Sequence, residues 1–171
     1  MNSVKTVLMI SLLAFHFISK SQSLQMPPVD VLSLDGKTIN SKELLAFDRP
    51  TVLVFWNCDD RNCLEFMKEL SDTYENEWKG LTFRIIGICS NNNSSVESIR
   101  PMVNILGLAF DIYFDRNDNL KRALSVPDLP YTLLINPDTN LCYRFEGVDQ
   151  DITDLLPSSA EKCYAGNRPG R

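Results

Sequence analysis

Histidine is almost missing from this chain: its 171 residues hold one, His16. That residue lies in an apolar run near the start, Val7 to Ile18, VLMISLLAFHFI. If the run is removed as a leader, no imidazole remains. A chain without histidine cannot use a Ser-His or Cys-His catalytic pair. It also lacks the usual zinc or copper ligand. A membrane-length apolar stretch is missing too, since this run is well short of the roughly 20 residues a spanning helix needs. Positive charge is in deficit, with 17 Lys and Arg against 22 Asp and Glu. That balance argues against a nucleic-acid partner. Internal repeats and low-complexity tracts are absent, and a 44% hydrophobic, 23% charged composition is that of an ordinary globular domain.

The N-terminus reads as a secretory signal. Lys5 precedes the apolar run, and the small polar residues Ser19, Ser21 and Ser23 follow it. Cleavage is expected near Ser21 or Ser23, with an uncleaved anchor as the rival reading. No cysteine stands at the cut, so a lipid anchor there has no support. The loss of Lys5 and Lys20, and of no acid, leaves 15 basic against 22 acidic residues, a net charge of −7. The expected organisation is a signal peptide over 1–23, one α/β domain over 24–157 and a C-terminal tail over 158–171. After cleavage no stable membrane insertion is expected, and the destination is periplasmic or extracellular.

Strands and helices alternate along the rest. Val31 to Asn40 predicts a hairpin around Asp35-Gly36, and Ser41 to Ala46 one helical turn. TVLVFW, Thr51 to Trp56, is a continuous β-branched and aromatic run that predicts a buried central strand. Phe66, Met67, Leu70, Tyr74 and Trp78 recur at helical spacing. Leu81 to Cys89 predicts a second buried strand. Ser94 and Glu97 have capping-box spacing ahead of a helix that ends at Gly107 and should kink at Pro101. Phe110 to Phe114 predicts a short strand and Asn119 to Leu124 a short helix. Tyr131–Asn136 and Leu141–Gly147 form a hairpin across Pro137-Asp138. Asp151 to Leu156 is a weak last helix before a polar tail. The pattern is an α/β sandwich on one mixed sheet.

The stretch with most chemistry is FWNCDDRNC, Phe55 to Cys63, where a strand ends in Trp56 and two cysteines flank two aspartates. The order of segments from about Met26 to Val148 resembles the TlpA/ResA-like branch of the thioredoxin superfamily, redoxin-type exported thiol-disulfide oxidoreductases. Asp35-Gly36-Lys37 resembles that branch's N-terminal hairpin extension, VLVFW its central strand, and Leu141 to Gly147 its last hairpin strand. VPDLPYTLLIN, Val126 to Asn136, resembles the segment holding its cis-proline, which would be Pro130. The resemblance implies a thioredoxin-like fold, a central mixed sheet flanked by helices with an N-terminal β-hairpin. It also implies protein thiols or disulfides as partners, and no cofactor.

The family pattern, F-W, two residues, then W-C-x-x-C, is altered here. Counting from Phe55 and Trp56, Cys63 falls on the second, resolving cysteine and Leu70 on the helix leucine seven residues later. Asp60 falls on the attacking cysteine, so the motif is Asp60-Arg61-Asn62-Cys63. The glutamate often found three residues after the resolving cysteine is replaced by Phe66, with Glu65 one position early. Asp60 suits a helix N-terminus as an anionic cap, worth about 0.5–2 kcal/mol, but cannot form a mixed disulfide. The site candidates are Cys63 and Cys58 as catalytic thiols, with Trp56, Asp60, Arg61 and Pro130 lining the site. Two thiolates without an imidazole argue against a metal among Cys58, Asp59, Asp60 and Cys63. A peroxiredoxin reading fares worse, because its reactive cysteine should stand where Asp60 does.

The cysteine pairing stays open. Cys58 should lie on the extended approach to the helix, at about 3.3 Å per residue. That exceeds the roughly 4.4–6.8 Å Cα separation of a disulfide from Cys63, unless the turn rearranges. Cys89 ends a buried strand and reads as core, near the active corner. Cys142–Cys163 is a tail staple by elimination, and five cysteines leave at least one unpaired. Two functions are in play. One is a thiol-disulfide enzyme acting through Cys63 alone or with Cys58. The other is a thioredoxin-fold binding or structural module without turnover, using the Pro130 loop.

Overall fold

The computed structural model describes residues 26–91, 94–148 and 151–166. The expected signal peptide lies outside them, as does the end of the expected tail. The hairpin Asp30–Ser33 (β1) and Thr38–Asn40 (β2) turns at Gly36, whose φ of 85° explains the glycine. A short 3-10 turn, Ser41–Leu45, leads to Thr51–Trp56 (β3) and Arg61–Asn76 (α1). Arg84–Ser90 (β4), Val96–Leu106 (α2) and Asp111–Asp115 (β5) follow. Asn119–Ala123 (α3), Tyr131–Ile135 (β6), Leu141–Glu146 (β7) and Asp151–Ala165 (α4) complete the chain.

The seven strands form one sheet in the order β2-β1-β5-β4-β3-β6-β7. β3 pairs parallel with β4 and β4 with β5, whereas β6 runs antiparallel to β3 and β7 to β6. The expected mixed sheet flanked by helices, with a leading hairpin, is what forms. β3 has two neighbours in the sheet and a packed layer on each side. That is why TVLVFW reads as unbroken hydrophobicity: Val52 to Trp56 are all 0% exposed.

Alternation along the strands separates two apolar layers. Val54, Trp56, Ile85 and Cys89 join Cys63, Phe66, Met67 and Leu70 of α1 in one layer, which also takes residues from α2 and α4. Leu53, Phe55, Ile86 and Ile88 pack in the other, with Leu120 of α3. The α1 residues sit at i, i+3, i+4 and i+7, which places them on one face of the helix. Gly87 of β4 fills a tight place in the first layer. A Cβ there would stand 2.5 Å from Ile112 Cδ1, 3.0 Å from Met67 Cε and 3.3 Å from Trp56 Nε1.

Two local readings change. The box ahead of α2 is one residue later than expected: Ser95 is the N-cap, and Ser98 Oγ accepts the Ser95 N–H at 3.0 Å. A serine at N3 does the work assigned to Glu97, which leaves Ser94 free to face elsewhere. The helix runs through Pro101 to Gly107, whose φ of 60° gives the left-handed stop. The last helix also continues past Leu156, through Pro157, to Ala165. Ile152, Leu156, Ala160 and Cys163 of that helix are buried at helical spacing. Cys163 is bonded to Cys142 of β7, with Cα atoms 5.7 Å apart. Burial of this face and the bridge outweigh the hydrogen bond lost at an interior proline.

Candidate functional site

The C-terminal ends of the two central parallel strands build the site. Trp56 and Cys89 are directly paired across β3 and β4. Side chains two apart on a strand share a face, so Cys58 and Asn91 extend the row set by Trp56 and Cys89. β3 stops at Trp56, and a turn closed by the Asp60 N–H to the Asn57 carbonyl (3.3 Å) leads into α1. Asp60 is the N-cap: its Oδ1 accepts the Cys63 N–H at 2.8 Å. The expected cap is therefore formed.

Cys58, Cys63 and Cys89 are free and buried. A Cys58–Cys63 bridge is not formed. Cys58 is 4% exposed; its Sγ accepts from Asn91 Nδ2 at 3.4 Å and donates toward the Ser94 hydroxyl and Asp59 Oδ1, each at 3.8 Å. Asn91 Nδ2 also reaches Asp59 Oδ2 at 2.6 Å and Asn57 Oδ1 at 3.2 Å, tying the turn to the end of β4. Cys89 is 0% exposed in the same buried layer as Cys58. The hydrogen bond from Cys89, then those from Asn91 and Ser94, hold the Cys58 thiol down to about 6, against burial and the Asp59 carboxylate. Cys89 moves the other way, raised by its hydrogen bond to Cys58 and then by burial.

Cys63 sits in the opposite environment. Burial pushes its thiol up to about 11, and the Asp60 carboxylate adds to the rise against a backbone hydrogen bond from Asn57. In a C-x-x-C site the helix end favours a thiolate. Here an acid already takes that end, and the cysteine behind it stays protonated.

The other expected site residues divide. Trp56 is 0% exposed and belongs to the core beneath the site, not to its lining. Arg61 is exposed and turns along α1 to Glu65, Nε to Oε1 2.8 Å, so its charge is directed away from both thiols. Phe66 is buried, so the family's glutamate position is filled by a core side chain. The Leu129-Pro130 bond is cis, and the Pro130 carbonyl accepts the Gly147 N–H at 2.9 Å. Pro130 precedes β6, whose Tyr131 pairs with Phe55, so this loop lies at the same end of β3 as the thiols. Cys89, Asn91 and Ser94 were not among the expected site residues. Their signal was present, because Trp56-x-Cys58 and Cys89-x-Asn91 are matched i, i+2 pairs at the ends of adjacent parallel strands.

The model of the AhpC/TSA family matches residues 23–144. The chain belongs to that family. The solution structure of a thioredoxin-like protein from Porphyromonas gingivalis is 20% identical, with a TM-score of 0.71 over 85% of this chain and 95% of that one. A secreted Mycobacterium tuberculosis disulfide oxidoreductase homologous to E. coli DsbE is 18% identical, with a TM-score of 0.62 over 79% and 96%. The thioredoxin domain of a Bacteroides vulgatus thiol-disulfide oxidoreductase is 14% identical, with a TM-score of 0.64 over 81% and 96%. These likenesses establish the thioredoxin-like fold. No curated protein matches the sequence. Among the described residues, no helix is long and apolar enough to cross a membrane.

Proposed function

We propose that this chain is an exported thiol-disulfide oxidoreductase whose attacking group is Cys58. The observation that carries the reading is the setting of the Cys58 sulfur, held at the end of β3 by the Asn91 amide at 3.4 Å with the Ser94 hydroxyl at 3.8 Å. The Asn91 amide donates to this sulfur and favours its thiolate, the nucleophile in thiol-disulfide exchange. Cys63, the other catalytic candidate, is fully buried, and burial pushes its thiol up to about 11. Family membership and the fold support the chemical class. The partners are protein thiols or disulfides, with the Pro130 loop at the same end of the sheet as a docking edge.

Export is supported by the Lys5 and Val7–Ile18 pattern and by the Cys142–Cys163 bridge, a bond that persists in oxidising compartments. The M. tuberculosis relative of the same fold is described as secreted. The test of function is turnover of a model disulfide by the mature protein. Cys58→Ser should lower the rate at least tenfold. Equal rates for wild type and variant would overturn the role of Cys58.

A second reading has its own observation. Asp60 caps the N-terminus of α1, the place that the sequence resemblance assigns to the attacking thiol. On that reading the fold is a binding module without turnover, and the mature wild type reduces no disulfide above the buffer rate.

A further inference from the structure

We infer that Cys58 and Cys89 are the working dithiol of this protein, a pair drawn from two adjacent strand ends in place of C-x-x-C. The inference rests on the reading of Cys58 as the attacking thiol and adds the group that resolves it. Cys89 ends the row that begins at Gly87 on the face of β4 shared with Trp56, and it is directly paired with Trp56 in the parallel register. Cys58 follows Trp56 by two residues. Both side chains are buried in the one apolar layer on the face of the sheet that carries Trp56. Asn91, two residues beyond Cys89, reaches Cys58 from the same strand end. The Cys63 sulfur is engaged by the Asn57 backbone and faces Asp60.

The two members differ in mobility in the way an attacking and a resolving thiol should. Cys89 is on a strand with neighbours on both sides and is 0% exposed. Cys58 is in the turn after β3 ends, so the turn supplies the movement that brings the two sulfurs to a bond of about 2.05 Å. An outside disulfide meets Cys58 first, because Cys89 lies deeper.

The exchange balances without a further reagent. The Cys58 thiolate attacks one sulfur of a disulfide R–S–S–R′. A mixed disulfide forms at Cys58, and R′–S⁻ leaves and takes a proton from water. The Cys89 sulfur then attacks Cys58 Sγ, and its proton goes to the departing R–S⁻. Two thiols of the protein are oxidised to one disulfide, and the incoming disulfide is reduced to two thiols. Run backwards, the same steps oxidise a dithiol partner.

The test is peptide mapping of the mature protein after equilibration with excess oxidised glutathione under native conditions, with remaining thiols blocked in acid. Arg61 separates Cys58 from Cys63, and Lys79 and Arg84 separate Cys63 from Cys89, so trypsin places the three on different peptides. The expected result is a linked Cys58–Cys89 peptide with Cys63 blocked as a free thiol. Cys89→Ala and Cys89→Ser should instead accumulate glutathione on Cys58, with turnover reduced at least tenfold. A Cys58–Cys63 linked peptide, or stable glutathionylation of Cys58 in the wild type, would overturn the pairing while leaving Cys58 as nucleophile. Three unmodified thiols would overturn both the pairing and the proposed function. Mapping the wild type decides the matter even where a Cys89 variant fails to fold.

Discussion

The carboxylate of Asp60 accepts the backbone N–H of Cys63 at 2.8 Å, so an acid caps the N-terminus of α1. That end of a helix favours negative charge.

Asp60→Cys should return a C-x-x-C motif closed by the native Cys63. The new thiol should titrate below the free value of about 8.5, as at other helix N-termini. Disulfide reduction should rise severalfold, although the lost cap costs about 1 kcal/mol of stability. Turnover at or below wild type, with no bond between the introduced thiol and Cys63 on oxidation, would show that the helix end no longer supports the chemistry.

Thiolate absorbance near 240 nm should report one group ionising at about pH 6, absent from Cys58→Ser. Stability should follow the same group. A thiol held below its unfolded value stabilises the fold fully above that value, about 8.5, and the contribution is lost as pH falls through about 6. The difference in unfolding free energy between wild type and Cys58→Ser should therefore grow from pH 6 to 8.5 and be flat below. Cys63, raised to about 11, acts with the opposite sign above its unfolded value. Anaerobic urea unfolding without reductant keeps the Cys142–Cys163 bridge in place. A difference independent of pH would contradict the assignment.

Gly87→Ala should destabilise the protein by about 1–3 kcal/mol, as overpacked cores do. The new methyl would meet Ile112 Cδ1 at 2.5 Å. Ile112→Val removes that carbon, so the double variant should recover part of the loss in a thermodynamic cycle. Strict additivity of the two changes would place the strain elsewhere, against Met67 or Trp56.

Cys163→Ser should cost roughly 3 kcal/mol, the scale for a bridge closing a loop of this size, here a separation of 21 residues. The effect should vanish when both proteins are compared in strong reductant. A persistent difference there would assign the cost to packing of the helix instead of to the bond.

Much of this was legible in the sequence. TVLVFW announced a doubly covered strand, Asp35-Gly36 a turn needing a positive φ, and Asp60 a cap, because each depends on neighbours in sequence. The two misread spots failed for a local reason as well. Ser98 competes with Glu97 for the same N3 task, and the residues after Leu156 read as a polar tail although Ile152, Leu156, Ala160 and Cys163 kept the helical period across Pro157. The thiol pair was different. Cys58 and Cys89 share one end of the sheet only because β3 and β4 run parallel in a register that sets Trp56 beside Cys89. Nothing within FWNCDDRNC specifies that register. Reading the stretch as an altered C-x-x-C directs attention down the helix to Cys63 and not across the sheet to Cys89.

The bridge to α4 has a further effect on the outer strand it grips. β7 has a partner on one side only, and its pairing with β6 slips at Leu134/Ile135. Such a strand is the natural place for a sheet to fray and for a second chain to add itself. Cys142 bolts that strand to a helix whose apolar face is sunk in the core. Peeling the margin then requires lifting the helix with it. Cutting the bolt would therefore be felt first as a loss of solubility, in clumping of the reduced protein at high concentration, before any change in the chemistry at the far end of β3.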